Sequence, residues 1–321
     1  YIMTDIVKPY VVGIDVGGTN TAFGIVDANG KVIASSSIKT QQFGADLDAY
    51  INELHSALSK LIAENGGIDK IKGIGVGAPN ANYYTGNIEN AANLPWKGTI
   101  EFAKILTNKF GVPCTLTNDA NAATIGEMMY GAAKGMKDFI MITLGTGVGS
   151  GIVCNGKLVY GHDGNAGELG HVIVRRGGRQ CGCGQKGCLE TYTSATGIIR
   201  SAQELLQASN EPSVLREIPL DKITGLDVCN AARKGDKIGK EVMKSVGVIL
   251  GEAFADFVKF SSPEAIVMFG GPVKSADLFI DDLKATMDAN LMPTFRGKIK
   301  VLTSQLKDGD AAILGASALA W

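Results

Sequence analysis

At 321 residues, the chain exceeds what one ordinary core organises, and two lobes are expected. A hydrophobic share of 45% and a mean hydropathy of +0.12 describe a well-packed globule, and no apolar run approaches the roughly 20 residues of a membrane span. A formal net charge of −1 supplies no electrostatic reason to bind nucleic acid or an anionic membrane. The opening Y-I-M-T-D-I-V-K-P-Y lacks the basic-then-apolar layout of a signal peptide. Cys114, Cys154 and Cys229 lie scattered in apolar surroundings, which suits a reducing compartment, so the cytoplasm is the expected location.

In chain order, Y-V-V-G-I-D at 10–15 is a short apolar run that ends on Asp15, and Gly17-Gly18-Thr19 follows at once. Runs at 21–26 and 31–38 read as two further strands, with Asn29-Gly30 as the hairpin turn between them. A glycine-rich first turn offers backbone N–H groups and admits phosphate oxygens closely. Residues 46–64 carry Leu47, Tyr50, Ile51, Leu54, Leu58, Leu61 and Ile62 at helical spacing, stopped by Gly66-Gly67. His55 on this helix is expected at the surface. A strand at 71–78 ends at Pro79, and residues 80–96 form a long polar loop closing on Asn93-Leu94-Pro95-Trp96. A helix is expected over 99–110 and a strand over 112–117. Asn118-Asp119-Ala120-Asn121 then enters a helix running to about Ala133. Asp119 either caps that helix or is a ligand group at a strand's C-terminal end, where α/β proteins place them.

The pattern then recurs. I-D-V-G-G-T-N-T-A-F-G-I-V-D-A-N-G-K-V-I from Ile14 and I-T-L-G-T-G-V-G-S-G-I-V-C-N-G-K-L-V from Ile142 share a glycine turn, a Gly-Ile-Val strand and an Asn-Gly-Lys hairpin, about 126–128 residues apart. Such self-similarity points to two related lobes. If they face each other, two Gly/Thr turns converge on one cleft and hold the two ends of a polyphosphate.

Next comes H-V-I-V-R-R-G-G-R-Q-C-G-C-G-Q-K-G-C-L-E at 171–190, with Cys181, Cys183 and Cys188 inside eight residues and His171 ten residues upstream. Three thiolates and an imidazole, separated by glycines, form a usual tetrahedral zinc set. Buried thiols or a disulfide are the alternative, although Cys181 and Cys183 lie too close along the chain to bridge easily. Glu168 and Glu190 stand just outside the two ends of this knot. Arg175, Arg176 and Arg179 read as a solvated face. Beyond it, helices are expected over 191–208, 226–232, 237–260, 275–290 and 310–320, with a loop over 209–220. Strands are expected over 265–269 and 298–303, and Gly270-Gly271-Pro272 is a third glycine turn.

Taken together, D-V-G-G-T-N at 15–20, N-D-A-N-A-A at 118–123, L-G-T-G-V-G-S-G at 144–151, G-E-L-G-H at 167–171 and C-G-C-G-Q-K-G-C-L-E at 181–190 resemble the ROK family of sugar kinases and repressors over essentially the whole chain. One departure is Gly77-Ala78-Pro79-Asn80, where relatives commonly carry Pro-Gly. The resemblance implies an α/β, actin/hexokinase-like (ribonuclease H-like) duplicated fold. Its two lobes each carry a mixed five-stranded sheet, with a nucleotide and sugar cleft between them. A small lobe over 3–118 plus 310–321 and a large lobe over 119–309 with the zinc-binding loop are expected.

The resemblance further implies an ATP-dependent hexose kinase, with glucose the leading substrate, that works as a homo-oligomer (dimer or tetramer). By position, Asp119 resembles the family's catalytic base. Asn93, Asn118, Glu168, His171 and Glu190 resemble sugar ligands, and His171, Cys181, Cys183 and Cys188 a structural zinc set. Gly17, Gly18, Thr19, Thr146, Gly147 and Gly149 would hold the phosphates, Asp15 would sit near magnesium, and Gly270 and Gly271 near the adenosine. Phosphoryl transfer needs positioning, charge neutralisation and a carboxylate to accept a hydroxyl proton, which suits Asp119.

An N-acetylhexosamine kinase, for N-acetylmannosamine or N-acetylglucosamine, is the runner-up, and fructose or allose kinases are further options. Another class is a sugar-responsive repressor, which needs a helix-turn-helix module. Only 14 residues precede Asp15, and no basic helix is evident. A non-catalytic sugar sensor of the family is a third.

Overall fold

The computed structural model describes residues 7–321. The expected lobe start at residue 3 and most of the segment read for a signal peptide lie outside the described residues. In chain order the elements are β1 (Tyr10–Val16), β2 (Asn20–Asp27), β3 (Val32–Lys39), α1 (Leu47–Glu64), β4 (Ile71–Gly77), β5 (Ala81–Asn82), β6 (Asn87–Glu89), β7 (Thr99–Ile100), α2 (Phe102–Phe110), β8 (Cys114–Thr117) and α3 (Asp119–Tyr130). They continue with β9 (Phe139–Leu144), β10 (Val148–Cys154), β11 (Lys157–Leu158), α4 (Glu190–Thr193), α5 (Ala195–Ala208), α6 (Gly225–Arg233), α7 (Lys237–Ser261), β12 (Ala265–Phe269), α8 (Ile280–Asn290), β13 (Lys300–Thr303) and α9 (Ala311–Ser317). Among the described residues, no helix is long and apolar enough to cross a membrane.

Contacts divide the chain into two units. The first holds the described residues up to Met136 with Leu158–Ala166 and Gln305–Trp321, the second Lys137–Lys157 with Gly167–Ser304. Helix α3 therefore stays with the first sheet, whereas the boundary read from sequence passes between Asn118 and Asp119. Each unit is built on a five-stranded sheet, in the orders β3-β2-β1-β4-β8 and β11-β10-β9-β12-β13. The pairing repeats as well. β1 runs antiparallel to β2 and parallel to β4, while β9 runs antiparallel to β10 and parallel to β12. The internal repeat is thus a repeat of topology, with a glycine turn between the first two strands of each copy.

Burial explains the strands. Val12, Ile14, Val16, Phe23, Ile25, Ile74 and Val76 join Tyr50, Leu54, Leu58, Phe102 and Leu106 in one core that α1 and α2 cover. The opposite face of that sheet is built differently. Gly24, Gly13 and Gly75 stand side by side across β2, β1 and β4, and they leave a side-chain-free trough for α9. A Cβ at Gly13 would overlap the carbonyl of Ile313, and one at Gly75 that of Ala316. On its other side α9 meets α3, where a Cβ at Gly126 would come within 2.7 Å of the Gly315 Cα.

Several expected elements differ in detail. The loop over 80–96 contains β5 and β6, and β6 pairs with both β5 and β7 in a three-stranded sheet. Thr99 and Ile100, expected in a helix, form β7, and α2 begins at Phe102. Residues 191–208 form two helices because Ser194 interrupts them and caps α5, its hydroxyl accepting from Gly197 N at 3.0 Å. Gly271–Leu278 forms tighter 3-10 turns ahead of α8, since Pro272 cannot extend a regular helix backwards. His55 is half-buried, its ring 4.8 Å from that of Phe110.

Gly75→Ala is expected to destabilise the protein by about 3 kcal/mol, the upper end for overpacking against an unyielding backbone. Gly225→Ala, where an added Cβ meets nothing within 4 Å, is expected to be neutral. Chemical denaturation followed by circular dichroism compares the two.

Candidate active site

In the first unit, the hairpin turn Gly17-Gly18-Thr19 is shaped by its carbonyls. The Thr40 hydroxyl donates to Gly17 O at 2.7 Å, Gln41 Nε2 to Gly18 O at 2.7 Å, and Thr40 N to Thr19 O at 2.9 Å. Gly17 N donates to Asn20 O at 3.0 Å and closes the hairpin, so that N–H serves the turn itself. The N–H groups of Gly18 and Thr19 have no acceptor among the described residues. Asn93 is exposed and lies against this turn, its carbonyl 2.9 Å from where a Cβ on Gly18 would sit.

At the end of β8, the choice left open at Asp119 resolves. Asn118 is the N-cap of α3, and its Oδ1 accepts from Asn121 N at 2.8 Å. Asp119 occupies the first helical position, exposed, accepting among the described residues only from its neighbour Ala120 N at 3.1 Å. Its carboxylate is therefore not spent on capping. Asp15, near the end of β1, has its pKa pushed up to about 6, first by burial and then by the negative charge of Asp119. A buried carboxylate held beside a second negative charge suits a divalent cation, and oxygen donors of this kind are what magnesium takes.

Asn80 accounts for the family departure. It adopts φ 52°, a left-handed conformation that Asn tolerates better than most residues. Its Nδ2 donates to Glu89 O at 3.1 Å and Asn90 O at 3.3 Å. The bend otherwise made by glycine is kept and tied to the small sheet.

In the second unit, the equivalent turn runs from Gly145 to Val148. Gly145 N donates to Gly147 O at 2.9 Å, while the N–H groups of Thr146 and Gly147 have no acceptor among the described residues. Gly149 lies inside β10 opposite Thr143, one step beyond the turn. Val148 N donates to Glu190 Oε2 at 2.8 Å, and a Cβ on Gly147 would overlap that same carboxylate. Ser150 donates to Gly167 O and accepts from Leu169 N at 3.0 Å, so it brackets the exposed Glu168 from behind. Gly270 reaches the same strand end, where a Cβ would overlap Leu144 O, and the exposed Gly271 follows.

The four expected zinc ligands come together. Ligand atoms of His171, Cys181, Cys183 and Cys188 all lie within 4.8 Å of one another. Cys181 Sγ is 3.6 Å from His171 Nδ1, and Cys183 Sγ is 3.6 Å from Cys188 Sγ. A tetrahedron with Zn–S near 2.3 Å and Zn–N near 2.0–2.1 Å has edges of about 3.6–3.8 Å, so the cluster fits zinc. All three cysteines are free thiols, which removes the disulfide alternative. Burial, with the neighbouring Cys183 and Cys181 sulfurs, pushes the Cys188 thiol up to about 12, and a cation makes the thiolate the stable form. Because Nδ1 faces the cysteines, His171 keeps Nε2 for another partner. Gly187, at φ 88°, lets the loop close where a Cβ would overlap Arg175 O.

Of the arginines beside this loop, Arg176 is exposed as expected, whereas Arg175 and Arg179 are engaged by the fold. Arg179 has a side chain only 11% exposed and pairs with Glu204 at 2.7 Å. It donates to Thr191 O at 2.8 Å and Ser201 Oγ at 2.9 Å, and lies 4.5 Å above the Tyr192 ring. Arg175 pairs with Glu252 at 2.8 Å. These groups strap the metal loop to α5 and α7, and no periodicity in the sequence announces contacts between such distant residues.

The ROK family model matches residues 11–321. The chain belongs to the ROK family. A glucokinase of Halalkalibacterium halodurans is 35% identical, over 95% of this chain and 93% of that one. The crystal structure of a ROK family glucokinase from Streptomyces griseus in complex with glucose and AMPPNP aligns with a TM-score of 0.77 at 30% identity, covering 97% of this chain and 98% of that one. A ROK hexokinase from Thermus thermophilus aligns with a TM-score of 0.82 at 27% identity, covering 97% of each. The duplicated architecture is thus the actin/hexokinase-like fold of the ROK sugar kinases.

Purified chain is expected to retain about one zinc per molecule, and Cys183→Ser to lose most of it. Elemental analysis by mass spectrometry after gel filtration reads both; parent protein free of zinc would remove the assignment.

Proposed function

We propose that this ROK protein is an ATP-dependent hexose kinase, a glucokinase that transfers the γ-phosphoryl group of ATP to the 6-hydroxyl of glucose. The observation that carries the reading is Asp119, an exposed carboxylate at the start of α3 that Asn118 relieves of the capping role. Relatives named glucokinase, 31–35% identical over nearly the whole chain, support the choice of sugar.

In this reading, Asp119 accepts the proton of the attacking hydroxyl as the new O–P bond forms and the bond to the departing ADP oxygen breaks. A carboxylate suffices for this, because the hydroxyl turns strongly acidic only late in the transfer. Sugar hydroxyls both donate and accept, and they are gripped by groups that do one or the other firmly. Glu168, Glu190, Asn93, Asn118 and the Nε2 edge of His171 fill that role. The N–H groups of Gly18, Thr19, Thr146 and Gly147 hold phosphate oxygens. Gly149 stands behind the second turn in β10, and Gly17 closes the first. Gly270 and Gly271 leave room for the adenosine. Asp15 would hold magnesium, which when bound would neutralise phosphate charge. His171, Cys181, Cys183 and Cys188 would hold zinc with protein ligands alone, and zinc bound there would orient His171 and the glutamates on either side of the loop.

A coupled ADP-release assay with ATP, magnesium and a panel of hexoses tests the reading. Glucose is expected to be preferred over mannose, fructose, allose, N-acetylglucosamine and N-acetylmannosamine; preference for an N-acetyl sugar would replace glucose as substrate. Asp119→Ala is expected to lower turnover about 10²–10⁴-fold with little change in glucose affinity by calorimetry. Near-normal turnover would remove Asp119 as the base. Zinc removal by chelation is expected to weaken glucose binding about tenfold or more, and full affinity in metal-free protein would end the orienting role.

A further inference from the structure

Resting on the kinase reading, we infer that residues 190–196 splint the second phosphate turn, and that Thr196 is a positioning residue for the nucleotide. The segment begins where the metal loop ends and holds the turn at three points. Glu190 Oε2 accepts from Val148 N at 2.8 Å, Ala195 N donates to Gly145 O at 2.8 Å, and the Thr196 hydroxyl donates to Thr146 O at 3.0 Å. Ser194, buried between them, is fixed as the cap of α5. The splint is therefore anchored on a helix of 14 residues and on Cys188, two residues before Glu190.

The physical need for such a splint is general. A peptide turn attracts an anion with its N–H groups and repels it with its carbonyls, so the carbonyls must be turned away and held there. Each carbonyl that Ala195 and Thr196 engage belongs to a residue next to an N–H proposed to face phosphate.

The first turn uses the same device with unrelated residues. Thr40 and Gln41 hold the carbonyls of Gly17, Gly18 and Thr19. In both units a threonine hydroxyl is spent on a carbonyl of the glycine turn. Thr40 reaches Gly17 from the end of the third strand, and Thr196 reaches Thr146 from a helix start. An incidental surface contact at Thr196 does not account for that recurrence.

The test is binding of AMPPNP with magnesium in the absence of sugar, by calorimetry, for the parent, Thr196→Val and Thr196→Ser. Valine keeps the shape and removes the donor; serine keeps the donor. Thr196→Val is expected to bind the analogue about fivefold more weakly, the worth of one hydrogen bond. Thr196→Ser should stay within about twofold of the parent, and glucose affinity should be equal in all three. The inference falls if Thr196→Val binds the analogue like the parent, if it weakens glucose binding equally, or if serine fails to restore binding. If the parent itself binds no analogue and phosphorylates no hexose, the kinase reading falls and this inference with it.

Discussion

Every peptide unit in a turn carries a carbonyl along with its N–H, and the structure is arranged around disposing of those carbonyls. In each unit a strand runs into a glycine-containing turn and out again, and a neighbouring segment ties the turn's oxygens back. The sheet supplies the rest of the constraint. With β1 and β9 central and paired on both sides, the turns that follow them have fixed roots. The N–H groups left over can then be aimed without moving the core. A glycine turn on an unpaired hairpin would have the same residues and no such rigidity.

The fold was largely legible because its signals are periodic or repeated. Apolar runs that end in a glycine turn mark β1 and β9, helical spacing marks α1, and the recurrence of Gly-Ile-Val before Asn-Gly marks the duplication. The errors fall where a short polar segment decides the outcome through tertiary pairing. Ala81–Asn82 and Asn87–Glu89 are too brief to show alternation, and Thr99-Ile100 joins them as a strand only because Ile88 and Glu89 are there to pair with it. Ser194 splits an otherwise helical run by capping, a local preference that composition alone does not weigh against continuation.

At the candidate site, the types of residue were readable and their partners were not. The metal set could be read from spacing, since Cys-x-Cys and a cysteine five residues on must crowd one point. That Asn118 rather than Asp119 would cap α3 could not, because adjacent Asn and Asp have nearly equal capping preference. Arg175 and Arg179 were misread as solvated for a related reason. Arg179 is buried by Tyr192, Ser201 and Glu204, three residues that converge only after α4 and α5 fold back upon the loop.

The glycine trough across β2, β1 and β4 has a consequence for the order of events during synthesis. Its occupant, α9, follows the entire second unit in the chain, so the ribosome emits the first sheet long before the helix that covers it. Until then one side of β2, β1 and β4 presents bare backbone and the apolar rims Val11 and Val26, which pack with Ile313 and Leu314 in the finished protein. The second unit, continuous except for a short excursion, can consolidate while the first waits. The first unit is therefore completed only by residues made after the second, and its uncovered sheet face is the kind of surface that exposes a nascent chain to aggregation.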